Sequence, residues 1–245
     1  MPRESTHPLA EHPLDHIRGK IPNCAFPVSN RGYLMTLLLE ASLIQCASYV
    51  RGRLLDVGCG RRPYEKTYFS NAESYLGTDY LTDRSKPDVV ASAEKLPFDG
   101  QSFDTVTSTE VLEHVPDPLR ALKEMHRVLK PEGYLILSVP MHWPRHEQPY
   151  DYWRFTYDGL LHLLHESDFK LVRLFNRGRS YAFLGQVLQH IQPVPSDWFS
   201  AFINRFALWC DCHLNHDLVT LGWTVVARPA GPSTTESRAG ESAPV

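Results

Sequence analysis

The chain has no CxxC pair among its five cysteines (Cys24, Cys46, Cys59, Cys210 and Cys212), which excludes a zinc ribbon and a disulfide framework. An odd set of unpaired thiols fits a reducing compartment, so a cytoplasmic location is expected. Charge of one sign is missing too. Twenty-five Lys and Arg stand against 28 Asp and Glu, a formal charge of −3, and no summed cationic field draws the chain to nucleic acid or acidic lipid. A long hydrophobic run is likewise lacking. The most apolar stretch, 33–50, is broken by Thr36, Glu40, Ser42, Gln45 and Ser48, short of the roughly 20 apolar residues of a bilayer span; it reads as a helix with a buried face. The opening residues, MPRESTHPLAEHPLDH, lack the apolar core of a signal peptide, and 1–30 is expected to be irregular. Residues 229–245 contain no aromatic and no large aliphatic before Val245, too little to offset their ordering entropy, so that tail is expected to be disordered.

What remains is a globular composition, 42% hydrophobic and 22% charged over 245 residues, enough for one α/β domain at 31–228. No repeat recurs at a fixed period. Short β-rich runs alternate with amphipathic stretches, which predicts a parallel, doubly wound sheet. Seven strands are placed at 53–58, 74–80, 88–92, 103–109, 133–140, 169–175 and 222–229. In 117–130, Leu119, Leu122, Met125, His126 and Leu129 share a helical face, with Pro131 and Gly133 as stops. A further helix is expected at 157–167, and two more within an insertion between strands six and seven, about 179–215. That insertion carries Phe183, Leu184, Trp198, Phe199, Phe202, Phe206, Leu208 and Trp209, more apolar area than a solvated excursion exposes without associating with something. Packing on the sheet, a homodimer interface, a lid over an apolar substrate and a membrane-surface contact are all consistent with it.

The sequence LLDVGCGRRP places Gly58 and Gly60 at the carboxyl end of the first strand, where a doubly wound sheet holds its ligand and the backbone must come close. Asp79, nineteen positions beyond Gly60 at the end of strand two, is placed to accept hydrogen bonds from the two hydroxyls of a ribose. A dinucleotide fingerprint needs Gly or Ala at the third position, to seat a pyrophosphate on a helix amino end. Pro63 stands there instead; it suits the first turn of a helix, and no GKS or GKT follows to make a phosphate loop. A nucleoside without phosphate fits better than a nicotinamide dinucleotide.

DVGCG, the acid of GTDY, AEKLPFDGQSFD, TSTEVLEHVPDP and RVLKPEGYLILSVP together resemble the class I S-adenosylmethionine-dependent methyltransferases, especially the group typified by ubiquinone and menaquinone biosynthesis enzymes. The match runs from 53 to about 140. The resemblance implies a Rossmann-like sheet and S-adenosylmethionine as cofactor. It implies that Asp56, Gly58 and Gly60 shape the methionine side, that Asp79 holds the ribose, that Ala93 and Glu94 lie beside the adenine, and that Thr109 and Glu110 line the pocket floor. Many relatives have Asp immediately before that Ala, accepting from the adenine amino group; here Ser92 takes its place. The expected activity is methyl transfer to a small-molecule acceptor, at oxygen, in a cell-surface sugar, quinone or natural-product pathway.

A hydroxyl acceptor must lose a proton, and two groups compete for that role. EVLEH puts Glu110, Glu113 and His114 on one helical turn; the plain structural reading is a helix start, with acids at the positive end of the dipole. HWPRHEQPYDYWRFT follows strand five with His142, His146, Asp151 and Arg154. There the plain reading is a packed connection ordered by an Asp151–Arg154 pair. The functional reading is a substrate gate, in which His146 is the catalytic base and His142, Tyr150, Trp153 and Arg154 shape the acceptor pocket. The segment resembles one in uncharacterised methyltransferases encoded near cell-surface sugar and natural-product pathways. No metal is expected. ExxEH with a downstream His is nonetheless similar to the metal constellation of small-RNA 3′-terminal ribose methyltransferases, which makes Glu110, Glu113, His114 and His146 the alternative metal set and RNA the alternative acceptor; mixed oxygen and imidazole ligands suit Mn, Fe, Co or Zn. A non-catalytic nucleoside-binding module is the remaining alternative. His12, His16, His162, His165, His190, His213 and His216 are expected on the surface or on helix faces.

Overall fold

The protein is described from a computed structural model covering residues 10–15, 24–193, 196–214 and 216–231; His16 and most of the predicted tail lie outside the described residues. Seven strands, β1 Arg53–Val57, β2 Ser74–Asp79, β3 Val89–Val90, β4 Phe103–Thr109, β5 Leu129–Pro140, β6 Phe169–Asn176 and β7 Gly222–Pro229, form one sheet in the order β3-β2-β1-β4-β5-β7-β6. The order reverses between β1 and β4, so a crevice opens at their carboxyl ends, the place where open α/β sheets hold ligands. The expected all-parallel sheet fails at β7, which runs antiparallel to both β5 and β6. The cause is the connection. Two helices, α4 Ser180–Ile191 and α5 Asp197–His213, lie between β6 and β7 and bring the chain back to the edge where β6 ended, since Asn176 pairs with Trp223.

Helix α1, Tyr33–Cys46, is apolar around most of its circumference and buried accordingly: Leu34, Leu37, Leu38, Ala41 and Leu43 are all inaccessible or nearly so, and Ile44 is exposed. It is wedged between the sheet and the α4–α5 pair. The Ser42 hydroxyl bonds that of Thr224 on β7 at 2.8 Å. Helix α2, Pro118–Val128, opens with the Asp117 carboxylate accepting from the Arg120 N–H at 3.0 Å, with Pro118 in its first turn. It ends earlier than its periodicity suggests because Leu129 already pairs with Phe103, making the KPEG stretch part of β5. Helix α3, Tyr157–Glu166, is capped by the Thr156 hydroxyl. No helix follows Pro63: residues 61–72 form turns, and their Tyr64, Tyr68 and Phe69 pack over Leu54, Ile136 and Phe175.

His12 is not on the surface. It is fully buried, its Nε2 3.0 Å from an oxygen of the equally buried Asp211, while Glu11 bridges to Phe175 and pairs with Arg173. Asp211 also accepts from the N–H groups of Arg179 and Ala182, so an imidazole beside it completes the set of donors that a buried carboxylate needs. Helices α4 and α5 meet closely, since a side chain at Gly185 would overlap Ala207, and they share a buried ladder of Gln189, Asn204, Gln192 and Ser200. Their outer face is bare. Trp198 (76% exposed), Phe202 and Phe206 stack along it, with Trp209 beyond them. Among the described residues, no helix is long and apolar enough to cross a membrane.

Candidate active site

The carboxyl end of β1 turns at Gly58 (φ +77°) and Gly60 (φ +52°), backbone that L side chains avoid. A Cβ on Gly58 would overlap Val111, the residue just beyond the end of β4, whereas a Cβ on Gly60 meets nothing within 4 Å. One glycine therefore lets the β1 turn touch the β4 turn, and the other borders open space. Asp79 closes the far side. Its Oδ2 accepts from the Gly60 N–H at 3.0 Å and its Oδ1 from the Leu81 N–H at 2.9 Å, which fixes the carboxylate and leaves each oxygen a further acceptor position. At the end of β4 the Thr109 hydroxyl is buried and has no hydrogen-bond partner among the described residues. A fixed carboxylate, an unpartnered hydroxyl and clearance beside Gly60 fit a nucleoside bearing an amino-acid arm, as S-adenosylmethionine does.

Asp56 corrects one expectation. Its side chain is buried within the sheet and does not face the open space: one oxygen accepts from the Thr107 hydroxyl at 3.0 Å and the other from Tyr75. Alternation along β1 puts it on the face of Leu54, and its two bonds tie β1 to β2 and β4. Burial pushes its carboxyl up to about 6, against the two hydrogen bonds that hold it down. A carboxyl raised in this way gives its full stability below the unfolded value and loses it as the pH rises through about 6, a loss of about 3 kcal/mol. Asp56→Asn removes that slope. The variant should gain about 3 kcal/mol relative to the wild type between about pH 3 and about pH 8 in urea unfolding, and a constant difference would contradict this account.

The adenine side departs in detail. The Ser92 hydroxyl accepts from the Glu94 N–H at 3.2 Å within its own turn, Ala93 packs on the main core, and the Glu94 carboxylate points away to accept from the Asp117 N–H at 3.0 Å ahead of α2. Glu94 is thus committed to the start of α2.

Beyond β4 the expected helical turn is absent. Glu110 has a left-handed φ of +54°, and only a 3-10 turn, Leu112–His114, follows. The Glu110 carboxylate accepts from the Ser138 hydroxyl at 2.9 Å and pairs with the fully buried Arg177 at 2.9 Å. Its carboxylate is engaged by these two partners and is not among the ligand atoms that converge in the rest of the alternative metal set. Those three do converge: ligand atoms of Glu113, His114 and His146 lie within 4.8 Å of one another. Glu113 is buried, and desolvation together with the nearby Glu110 holds its carboxyl well above the usual range.

The 142–156 segment packs over this turn. The Glu113 carbonyl accepts from the N–H groups of Tyr152 and Trp153, and the Trp153 indole donates to the Val115 carbonyl at 2.9 Å. Asp151 forms a two-point pair with Arg154 at 2.7 and 3.0 Å, which holds the Asp151 carboxyl well below the usual range. All five Arg154 donors go to Asp151 and to the carbonyls of Trp143, Pro144 and Trp153, so this side chain shapes the loop and has no donor left for an acceptor. Tyr150 and Trp153 are each nearly half exposed beside His114 and Glu113. His142 sits apart, its ring 4.7 Å from Phe183 of α4, and burial and Arg154 lower its basicity. A separate cavity of about 720 Å³ lies at the opposite, amino edge of the sheet, lined by Gln101, Arg127, Lys170 and Arg228 among others, away from all of these groups.

Sequence reasoning passed over Arg177 and Glu147. Arg177 sits in an unremarkable NRGR following β6, and burial is invisible at the level of residue type. Glu147 has a left-handed φ of +49° that carries its carboxylate to 3.9 Å from His114 Nε2; its position between two segments of irregular backbone gave no periodicity to read.

Residues 55–137 match a family described as a methyltransferase domain. A stretch of 48 residues is 58% identical to a demethylmenaquinone methyltransferase of Staphylococcus epidermidis, covering 20% of each chain. Another of 105 residues is 36% identical to a ubiquinone biosynthesis O-methyltransferase of Paracidovorax citrulli, covering 36% of this chain and 43% of that one. The chain thus spans a fifth and about two fifths of the lengths of these two curated relatives. Among solved structures, the 1,6-didemethyltoxoflavin-N1-methyltransferase of Burkholderia thailandensis, with its substrate and S-adenosylhomocysteine bound, superposes with a TM-score of 0.51 at 16% identity, over 81% of this chain and 79% of that one. At that identity the likeness speaks to fold alone.

Proposed function

Since residues 55–137 match a methyltransferase domain family, we propose that the chain is a class I S-adenosylmethionine-dependent enzyme that transfers a methyl group to a small-molecule acceptor at oxygen. The observation that carries this reading is the clearance beside Gly60 next to the fixed carboxylate of Asp79, with the Thr109 hydroxyl left unpartnered at the end of the neighbouring β4. When bound, the cofactor's sulfonium supplies an electrophilic methyl group, and holding a nucleophile in line about 3 Å away with water excluded contributes on the order of 7 to 11 kcal/mol.

The protein's own groups divide the remaining work. Asp79 accepts the ribose hydroxyls, and Gly58 and Gly60 let the backbone approach the amino-acid arm. Arg177 fixes Glu110 at the floor, so that its carboxylate neither swings out nor loses its counter-ion. The 142–156 segment covers the acceptor side with Tyr150 and Trp153. His146 Nδ1 lies 3.2 Å from the Pro144 carbonyl and 3.6 Å from Asp151, which favours a proton on Nδ1 and leaves the Nε2 lone pair for the acceptor side. An RNA acceptor is disfavoured, because the chain carries a formal charge of −3 and offers no net cationic field to phosphate. Oxygen as the methylated atom draws support from the ubiquinone O-methyltransferase relative.

The test is transfer of a labelled methyl group from S-adenosylmethionine into a panel of phenols, sugars and hydroxy acids, with calorimetry against both S-adenosylmethionine and NAD. Label should appear in an oxygen-methylated product. Tight NAD binding without a response to the methyl donor would end the reading. His146→Ala should lower turnover by about 100-fold, the lower range for a group assisting proton transfer, with cofactor affinity unchanged. Full activity in that variant would remove His146 from the mechanism.

A further inference from the structure

We propose that Glu113, His114 and His146, with Glu147 beside them, form a binding site for one divalent first-row transition-metal ion. The ligand atoms of the first three lie within 4.8 Å of one another. His114 Nε2 stands 3.8 Å from a Glu113 oxygen and 3.9 Å from a Glu147 oxygen, and the two imidazole rings are 4.8 Å apart. Atoms around one ion at bond lengths of about 2.1 Å sit about 3.4 Å apart in a tetrahedron. Glu113 and His114 need to close by only a few tenths of an ångström, and His146, on a connecting segment, by side-chain rotation.

Proximity alone does not make the site; the way each ligand is prepared does. Nδ1 of His114 is 2.6 Å from the Tyr150 carbonyl, and Nδ1 of His146 is 3.2 Å from the Pro144 carbonyl. A carbonyl only accepts, so each ring holds its proton on Nδ1 and presents a bare Nε2, the arrangement that metal-bound imidazoles take from their surroundings. Glu113 Oε2 is buried, on a side chain 1% exposed, and has no hydrogen-bond partner among the described residues. A buried carboxylate with an unmet oxygen is costly to leave uncompensated, and an ion bound at its other oxygen, the one nearest His114, would supply the missing positive charge. The supporting frame is already in place. The Tyr152 and Trp153 N–H groups hold the Glu113 carbonyl, and Asp151 binds the His146 N–H at 2.9 Å. Glu110 does not belong to the set, because Arg177 and Ser138 engage it.

Two imidazoles with one or two carboxylates select Zn, Co, Fe or Mn over Mg and Ca, which prefer oxygen alone. Three protein ligands leave a position open for an oxygen atom of the acceptor, whose proton the ion's charge would make easier to lose; with the ion in place His146 acts as its ligand and no longer as a free base. That role rests on the methyl-transfer reading; metal binding does not.

The experiment uses the tag-free full chain, stripped with chelator and titrated with Co²⁺ while visible absorption is followed, with Zn²⁺ as competitor and elemental analysis for stoichiometry. One ion per chain is expected, with the intense visible bands of a low-coordinate, histidine-containing Co²⁺ site, displaced by Zn²⁺. Glu113→Gln and His146→Ala should each weaken Co²⁺ binding at least tenfold, whereas His165→Ala, at an exposed histidine elsewhere, should leave it unchanged. His146 is partly exposed on a connecting segment, so its variant reports even where Glu113→Gln perturbs folding. Binding of less than one ion, or equal binding by the wild type and both ligand variants, overturns the site. Calorimetry with S-adenosylmethionine on the same samples separates the two claims: cofactor binding without metal binding sinks the site alone, and metal binding without cofactor binding sinks the methyltransferase reading alone.

Discussion

Asp79→Ala is expected to weaken S-adenosylmethionine binding at least about 100-fold in calorimetry while the chain stays folded. A hydrogen bond to a charged group contributes roughly 1.5–3 kcal/mol, a ribose diol offers two hydroxyls, and every 1.4 kcal/mol is about tenfold in affinity. The substitution removes more than a ligand contact. It also frees the Gly60 N–H and the Leu81 N–H that the carboxylate holds at 3.0 and 2.9 Å, and these bonds keep the glycine turn against the tip of β2. Because the turn is partly exposed, water replaces the lost acceptor there, and the thermal midpoint should fall by only a few degrees. Asp79→Asn keeps the shape and one acceptor oxygen, but must turn a donor toward one of the two N–H groups, so its affinity should lie below that of the wild type as well. Unchanged affinity in both variants would mean that the ligand is not held by this carboxylate.

The strands were legible because burial imposes a short-range pattern. β4 and β7 fall where their apolar runs place them, and β1 and β2 end within a residue of expectation. What sequence pattern misses is direction and side-chain destination. The reversal of β7 follows from the length and path of two helices, which no local run encodes. The glycine turn and Asp79 were readable because φ and residue type are coupled at a strand tip. Asp56, one residue from that turn, was misread because alternation along β1 sends it into the sheet. Arg154 illustrates the opposite failure. Its pairing with Asp151 was expected from spacing, yet only the geometry reveals that its remaining donors are also taken. The EVLEH stretch has helical spacing, but the left-handed Glu110 breaks the turn, and its carboxylate is paired with Arg177, sixty-seven positions away in the chain. A local helical preference is worth only a fraction of a kcal/mol per residue, so spacing alone does not secure a helix where long-range partners engage its first residue.

That buried cation also gives the largest stability effect to be expected. Arg177→Met should destabilise the chain by about 3–5 kcal/mol in urea unfolding, the range for removing one partner of a buried ion pair. Arg177 is fully inaccessible, one of its terminal nitrogens lies 2.9 Å from Glu110 Oε1, and the other donates to the Val139 carbonyl at 2.7 Å. The fit is close enough that any Cβ at Gly222 would overlap the guanidinium. Methionine fills much of the volume, so the loss measures charge more than cavity. The Glu110 carboxylate is left without its counter-ion beside the buried Glu113, whose carboxyl already resists ionisation. A double-mutant cycle separates the two contributions. If the pair is the cause, adding Glu110→Gln to Arg177→Met should recover about 1–3 kcal/mol, because a neutral amide no longer needs the cation. A loss that the second substitution leaves untouched would assign the effect to the Val139 carbonyl and to packing, and Arg177 would then be a strut for β5 and β7 and not the anchor of the pocket floor.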